Sequence, residues 1–285
     1  MPPRGSPTRN WSMPEPVWTA RGSSKALRAV RPLIDAHARF RPVEVFEEDC
    51  CGRVEFSACG LTGSVPEDPR LTQFAEAAAV VCSRSGRTGP VALLAQWDER
   101  AFHLAKEGRS LAPSPLFWPA HVITGRDLPA ALGVGLGACV YFGHGHAGGW
   151  DGYCGIDART LAAGTVEPMG AVLSVTCQAA KRPKRGLSFC EELVLSGYCA
   201  ASFGSIGRSS HRRNARLGLA LCQAMRDHDT LAGIIQNCNA SWLSLAAYRI
   251  FGDPLARLAG APEAAGRARA IESGFFTPAA SDCPY

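Results

Sequence analysis

No apolar run in this 285-residue chain approaches the ~18–20 residues that cross a bilayer. No membrane-spanning helix is therefore expected. The opening Met1-Pro2-Pro3-Arg4-Gly5-Ser6-Pro7 carries a charge but no apolar stretch behind it, which argues against a secretory leader. The glycine-rich run 143–149 lacks the lysine of a phosphate-binding loop and the spacing of a dinucleotide fingerprint. Gly204-Ser205-Ile206-Gly207 lacks the G-x-S-x-G elbow of serine hydrolases. Zinc-finger spacing and a basic stripe interleaved with aromatics are both missing, and there is no internal repeat. Net charge is only +5, and the main basic cluster, Lys181-Arg182-Pro183-Lys184-Arg185, reads as an exposed loop. Neither nucleic acid nor membrane is expected as a partner, and no cofactor is indicated.

Cysteine, by contrast, is plentiful, with twelve residues. Disulfide frameworks belong to short secreted chains, and this one is 30.2 kDa. Cys82, Cys139, Cys199, Cys222 and Cys238 sit within apolar patterns, where a free thiol behaves as a small buried hydrophobe. That usage points to a reducing cytoplasm. The adjacent pair Cys50-Cys51, with Cys59, does not fit zinc-ligand spacing.

Residues 1–23, rich in Pro, Arg, Ser and Gly, read as a flexible arm. Residues 24–89 read as an α+β segment: a helix over Ser24–His37, a hairpin of Val43–Phe46 and Val54–Cys59 around Gly52, and a helix from Leu71 to Val81. From 90 to 260, short apolar runs alternate with helical periodicity. The strands are Pro90–Gln96, Phe117–Ile123, Ala138–Phe142, Ala171–Thr176 and Ala200–Ile206. The helices are Asp98–Lys106 capped at Gly108, a short one opened by Asp127, Ser188–Leu195, two after residue 216, and Trp242–Phe251. Residues 261–285 read as an Ala-rich tail. Such alternation predicts an α/β fold, a mostly parallel central sheet flanked by helices.

Two apolar runs stop abruptly at reactive side chains. Val140-Tyr141-Phe142-Gly143-His144-Gly145-His146 is one, and Ala171-Val172-Leu173-Ser174-Val175-Thr176-Cys177 is the other. Neighbouring parallel strands end on one edge, where open α/β sheets place their ligand crevice. A cysteine and a histidine meeting there can perform nucleophilic chemistry on a carbonyl, the imidazole taking one proton and returning another. A second reading treats His144 and His146 as a zinc pair completed by Asp151 or Cys154, giving a metal-dependent hydrolase. The aspartate that metallo-hydrolases place two residues beyond the second histidine is Gly148 here.

These residues resemble those of caspase-fold cysteine peptidases, most closely the gingipain family and the CHAT domains. Gly143-His144-Gly145 resembles their histidine motif and Leu173 to Ala179 their nucleophile motif. Leu187 to Gly197 resembles the helix after the nucleophile, and Ala200 to Gly207 the next core strand. Tyr248-Arg249-Ile250-Phe251-Gly252-Asp253-Pro254 resembles the closing motif, a helix ending at Gly-Asp-Pro. The resemblance implies a caspase-like three-layer sandwich. It also implies Cys177 as nucleophile, His144 as general acid/base, and the N–H groups of Gly145 and Cys177 as an oxyanion hole. A protein or peptide would be the substrate, and a partner or proteolysis would switch activity. Asp151, Asp157 and Arg208 are the charged candidates for contacting substrate; an acidic one would select Arg or Lys, a basic one Asp. A non-catalytic scaffold of the same fold is the alternative.

Overall fold

In a computed structural model that describes residues 16–274, the chain begins with β1 (Trp18–Gly22), α1 (Ser24–Ala29), α2 (Arg31–Ala38) and β2 (Val43–Glu47). The hairpin β3 (Arg53–Ala58) and β4 (Leu61–Pro66) follows, then α3 (Leu71–Cys82). Next come β5 (Val91–Ala95), α4 (Glu99–Leu111), β6 (Pro115–Pro119), α5 (Leu128–Leu132) and β7 (Ala138–Phe142). Three two-residue strands, β8 (Gly145–His146), β9 (Gly149–Trp150) and β10 (Ile156–Asp157), form a small sheet of their own before α6 (Ala158–Ala163). The chain then forms β11 (Met169–Val175), α7 (Phe189–Leu195), β12 (Cys199–Ser205), α8 (His211–Ala224), α9 (Leu231–Asn237), α10 (Trp242–Leu245), β13 (Tyr248–Gly252) and α11 (Ala264–Gly274).

Ten strands make one sheet in the order β2-β1-β3-β4-β13-β12-β11-β7-β5-β6. The run β12-β11-β7-β5-β6 is entirely parallel. Every residue of β5, β7, β11 and β12 is buried, which explains their near-continuous apolar sequence: both faces are covered. Tyr141 and Phe142 show the two faces directly, because consecutive strand residues point oppositely. Phe142 packs against Gly108 of α4 and Gly218 of α8. Tyr141 stacks on Trp150, which meets Phe189 of α7 edge-on. The result is the expected three-layer α/β sandwich. Helix α7 starts at a full capping box, Ser188 with Glu191, a motif whose cap contributes about 1 kcal/mol.

Several local expectations are corrected. The stretch assigned to a flexible arm contains β1, with Trp18 fully buried; residues 1–15 lie outside the described residues. Strand β1 lies between β2 and β3, parallel to one and antiparallel to the other, so those two do not form a hairpin. The hairpin is β3–β4, turning at Cys59 and Gly60, both at positive φ. The helix expected over Ser24–His37 breaks at Val30, ahead of Pro32. Helix α4 runs past Gly108, which is buried against Cys222 rather than capping. Tyr248–Gly252 is a strand antiparallel to β12, not the end of a helix; its Tyr-x-Ile-Phe pattern is β-branched and aromatic, and burial in the sheet overrides the helical periodicity. The start of the expected tail forms α11, and residues 275–285 are outside the described set.

The two halves of the sheet join at β4–β13 through only Ile250↔Gly63 and Phe251↔Ser64. A side chain at Gly63 would collide with the Gly252 carbonyl, so the junction requires glycine there. Just beyond, Asp253 is fully buried. Its Oδ1 accepts from Trp18 Nε1 at 3.0 Å and from the Leu255 N–H at 3.0 Å, and its Oδ2 lies 2.9 Å from His37 Nε2. His37 is also fully buried, stacked on Trp18 at 4.4 Å. Burial alone would lower the His37 pKa, but the Asp253 charge and hydrogen bond override it and raise it from 6.5 to about 9. Burial would raise the Asp253 pKa, but His37 and its other donors hold it below the ordinary carboxylate value. The two therefore form a buried ion pair.

Breaking one partner of such a pair costs about 3–5 kcal/mol. Asp253→Asn should lower unfolding free energy by that order in urea titrations. Because the folded-state pKa of His37 is raised, its contribution is full below about pH 6.5 and is lost as pH climbs through about 9. The gap between native chain and Asp253→Asn should therefore narrow over that window. A gap that stays constant from pH 6.5 to 9.5 would contradict the pairing.

Candidate active site

Strands β5, β7, β11 and β12 are parallel neighbours, so their carboxyl ends share one edge. Phe142 of β7 pairs with Val175 of β11. His144 and Cys177 each lie two residues beyond that pair, on strands spaced about 4.8 Å apart. The structure thus brings the two predicted reactive residues to one place on one edge. His144 is exposed and Cys177 half-buried. Gly145 connects the two loops: a Cβ there would lie 2.9 Å from Thr176 Oγ1, tighter than real Cβ contacts, so the histidine loop rests directly on the residue before Cys177.

The His144 backbone is fixed at both ends. Its N–H donates to Gln96 Oε1 at 2.7 Å. Its carbonyl accepts from the Tyr141 hydroxyl at 2.9 Å and the Asp151 N–H at 3.1 Å. The Tyr141 oxygen in turn accepts from the Gly152 N–H at 3.0 Å. Burial pushes the Tyr141 phenol above its ordinary pKa, so it remains a donor. Strands β8 and β9 fold the following residues back, Trp150 anchors them through Nε1 to Ser174 Oγ at 2.9 Å, and Ala147 accepts from the first N–H of α7 at 2.7 Å.

Cys177 sits where β11 gives way to a turn with Gln178 at φ +58°. Its sulfur lies 3.4 Å from the Ser209 amide nitrogen, 3.4 Å from the Ser209 carbonyl and 3.6 Å from the Ser209 hydroxyl. The Ser209 side chain also hydrogen-bonds the Tyr248 phenol, which donates to Asn214 Oδ1 at 2.9 Å. Among the described residues, the Cys177 N–H has no backbone acceptor. Other cysteines differ sharply. Cys139, Cys190, Cys199 and Cys222 are fully buried, and burial raises their thiol pKa values, to about 12 for Cys190 and Cys222. They stay protonated and inert.

Three contributors escaped the sequence reading. Gln96 and Ser209 act from loops after β5 and β12. Asp98 is the N-cap of α4, accepting from Arg100 and Ala101. Those N–H groups, with the charges of His144 and His211, hold its carboxyl below the ordinary value. The helix-start signal at Asp98 is legible in sequence, but its proximity to His144 depends on strand order.

The remaining candidates separate. Asp151 is exposed, with Oδ1 3.5 Å from His146 Nε2, and Arg208 is exposed in the loop that carries Ser209. Asp157 caps α6. For the zinc reading, His146 Nδ1 accepts from the Gly148 N–H at 3.0 Å while Nε2 lies 3.5 Å from Asp151 Oδ1. Cys154 is disulfide-bonded, while the other ten described cysteines are free. No cluster of three potential ligands occurs among the described residues. A cavity of about 280 Å³ lined by Gly89, Pro90, Ser114 and Leu116 opens at the opposite edge of the sheet, away from this chemistry.

The three-layer sandwich, with its mostly parallel sheet flanked by helices, is of the class of the caspase-like cysteine peptidases. The model of peptidase family C25 matches residues 104–259, more than half of the chain, and the chain belongs to that family. No curated protein matches. A solved structure described as a protease is similar at TM-score 0.64 and 12% identity, over 85% of this chain and 77% of that one. The Arg-specific cysteine proteinase gingipain R (RgpB) is similar at TM-score 0.55 and 12% identity, over 76% of this chain and 56% of that one. The complex of Porphyromonas gingivalis RgpB pro- and mature domains gives TM-score 0.51 and 13% identity, over 65% and 54%. The chain therefore spans just over half of the two RgpB chains. At these identities the likeness is one of fold.

Tyr141→Phe tests the scaffold of the histidine loop. It removes the donor to His144 and leaves the Gly152 N–H without its acceptor, a loss of about 1–3 kcal/mol. Urea unfolding should register it; a variant as stable as the parent would show that the loop does not depend on this phenol.

Proposed function

We propose that this protein is a cysteine endopeptidase working through a Cys177–His144 dyad. The observation that carries the reading is the β7–β11 register, which sets both residues equally far past one edge of the sheet. In the reaction, His144 takes the Cys177 thiol proton, and the sulfur attacks the scissile carbonyl carbon. The tetrahedral oxyanion is met by the N–H groups of Cys177 and Gly145. Collapse breaks the C–N bond as His144 returns a proton to the leaving amine. Water, deprotonated by His144, then hydrolyses the thioester and regenerates the thiol.

A cysteine nucleophile with a free backbone N–H at a strand end is suited to acyl transfer, while its buried counterparts cannot reach substrate. Asp151 and Arg208, both exposed, are the charged candidates for reading substrate side chains. Regulation by a partner or by proteolysis accompanies the reading; the pro- and mature domains of RgpB form a complex. A cytoplasmic setting is in keeping with the ten free thiols, Cys154 being the exception. Among the described helices, none is long and apolar enough to cross a membrane.

Cys177→Ala and His144→Ala should each lower peptide hydrolysis by at least about 1,000-fold while leaving the thermal midpoint unchanged. Full turnover by a folded Cys177→Ala protein would remove the proposal.

A further inference from the structure

Arg208 is held at the nucleophile by bonds on both sides of it. The preceding residue, Gly207, accepts from the Gln178 N–H at 3.1 Å, and the following residue, Ser209, donates its N–H to Cys177 Sγ at 3.4 Å. Its backbone is thus fixed against residues 177 and 178 while its side chain stays exposed. The same edge carries further exposed cations. Arg212 and Arg213 lie in the first turn of α8, and Lys181, Lys184 and Arg185 follow Cys177 in the next loop. None of these six has a carboxylate partner among the described residues. The nearby acids are engaged elsewhere: Asp98 with the α4 N–H groups, Asp151 beside His146, and Glu191 with Arg53 and Arg182.

We infer that the site selects acidic peptides, with Arg208 receiving a substrate Asp or Glu side chain close to the scissile carbonyl and the other cations drawing in an acidic segment. This rests on the peptidase reading and adds its substrate class. The planar guanidinium binds a carboxylate bidentately, and a cluster of one sign at a cleft steers oppositely charged ligands. It also decides between the two charged candidates. Asp151, which would favour a basic side chain, is beside an imidazole, whereas Arg208 is unpaired and tied to the nucleophile.

The test uses fluorogenic peptides carrying Asp, Glu, Ala, Lys or Arg at each of the three positions on either side of the cut, with Cys177→Ala as the blank. Acidic peptides should be cleaved with the highest kcat/KM, and the advantage should shrink between 50 mM and 500 mM salt. Arg208→Ala should reduce the ratio of acidic to basic kcat/KM by about tenfold or more, and Arg208→Glu should invert it. Cysteine-dependent cleavage that favours Lys, Arg or Ala would overturn the acidic selection and leave the peptidase standing. If no peptide is cleaved, fluorescence anisotropy of the same peptides on the Cys177→Ala protein decides: acidic peptides should bind more tightly than basic ones, and equal or reversed affinities would overturn the inference.

Discussion

One buried carboxylate joins this molecule. The two halves of the long sheet meet along β4 and β13, and two paired residues are a slender connection for ten strands. Asp253 follows that connection and receives donors from β1 and α2, segments more than two hundred residues earlier in the chain. An unpaired carboxylate would not survive there, because burial without partners costs several kcal/mol. Its position requires Trp18 and His37 to be in place, and their position requires it. Residues 16–89 are therefore joined to the family-matched core through one sheet and one buried cluster, although they lie outside the matched stretch.

From this frame the functional edge follows by strand order. β7, β11 and β12 are buried on both faces, so the polar groups inside them, such as the Tyr141 and Ser174 hydroxyls, serve to hold neighbouring loops, and exposed reactive groups come only where the strands emerge. What they present on emerging is held in two different ways. The histidine loop is bound through its backbone, with Gln96, Tyr141 and Asp151 fixing His144 and leaving its imidazole in solvent. The cysteine is approached through its side chain, with three atoms of Ser209 near the sulfur. A histidine fixed through its backbone and a thiol in contact with a neighbouring loop make the loop after β12 the element whose position bears most directly on the Cys177 sulfur.

Much of the fold was legible because it depends on local pattern. The buried strands before His144 and Cys177, the Ser188-capped helix and the short helix after Asp127 all follow from apolar runs and capping chemistry. The failures came where tertiary contact decides. Val43–Phe46 and Val54–Cys59 read as adjacent strands, and nothing local says that β1 inserts between them. Trp18 lies next to a Pro- and Arg-rich stretch whose composition hides a residue that donates to the Asp253 carboxylate. Tyr248–Gly252 repeats at a helical period yet pairs with β12, because β-branched and aromatic residues gain more from the sheet. For the site, the motifs located Cys177 and His144, but Gln96, Asp98 and Ser209 belong to loops whose proximity is a consequence of the order β12-β11-β7-β5.

The charge on this edge has no structural explanation. Solvated surface cations contribute little to stability, and Arg212 and Arg213 stand at the N-terminal end of α8, where the helix dipole favours anions and cations cost a few tenths of a kcal/mol each. Helix α7, which opens on the buried side of the same edge, follows the opposite rule with Glu191 and Glu192 in its first turn. Local preference is thus obeyed where the helix supports the core and broken where it faces the Cys177 edge. Departures from local rules without a compensating contact concentrate at functional sites, and here the departure gathers positive charge at the edge where the proposed acidic substrate would approach.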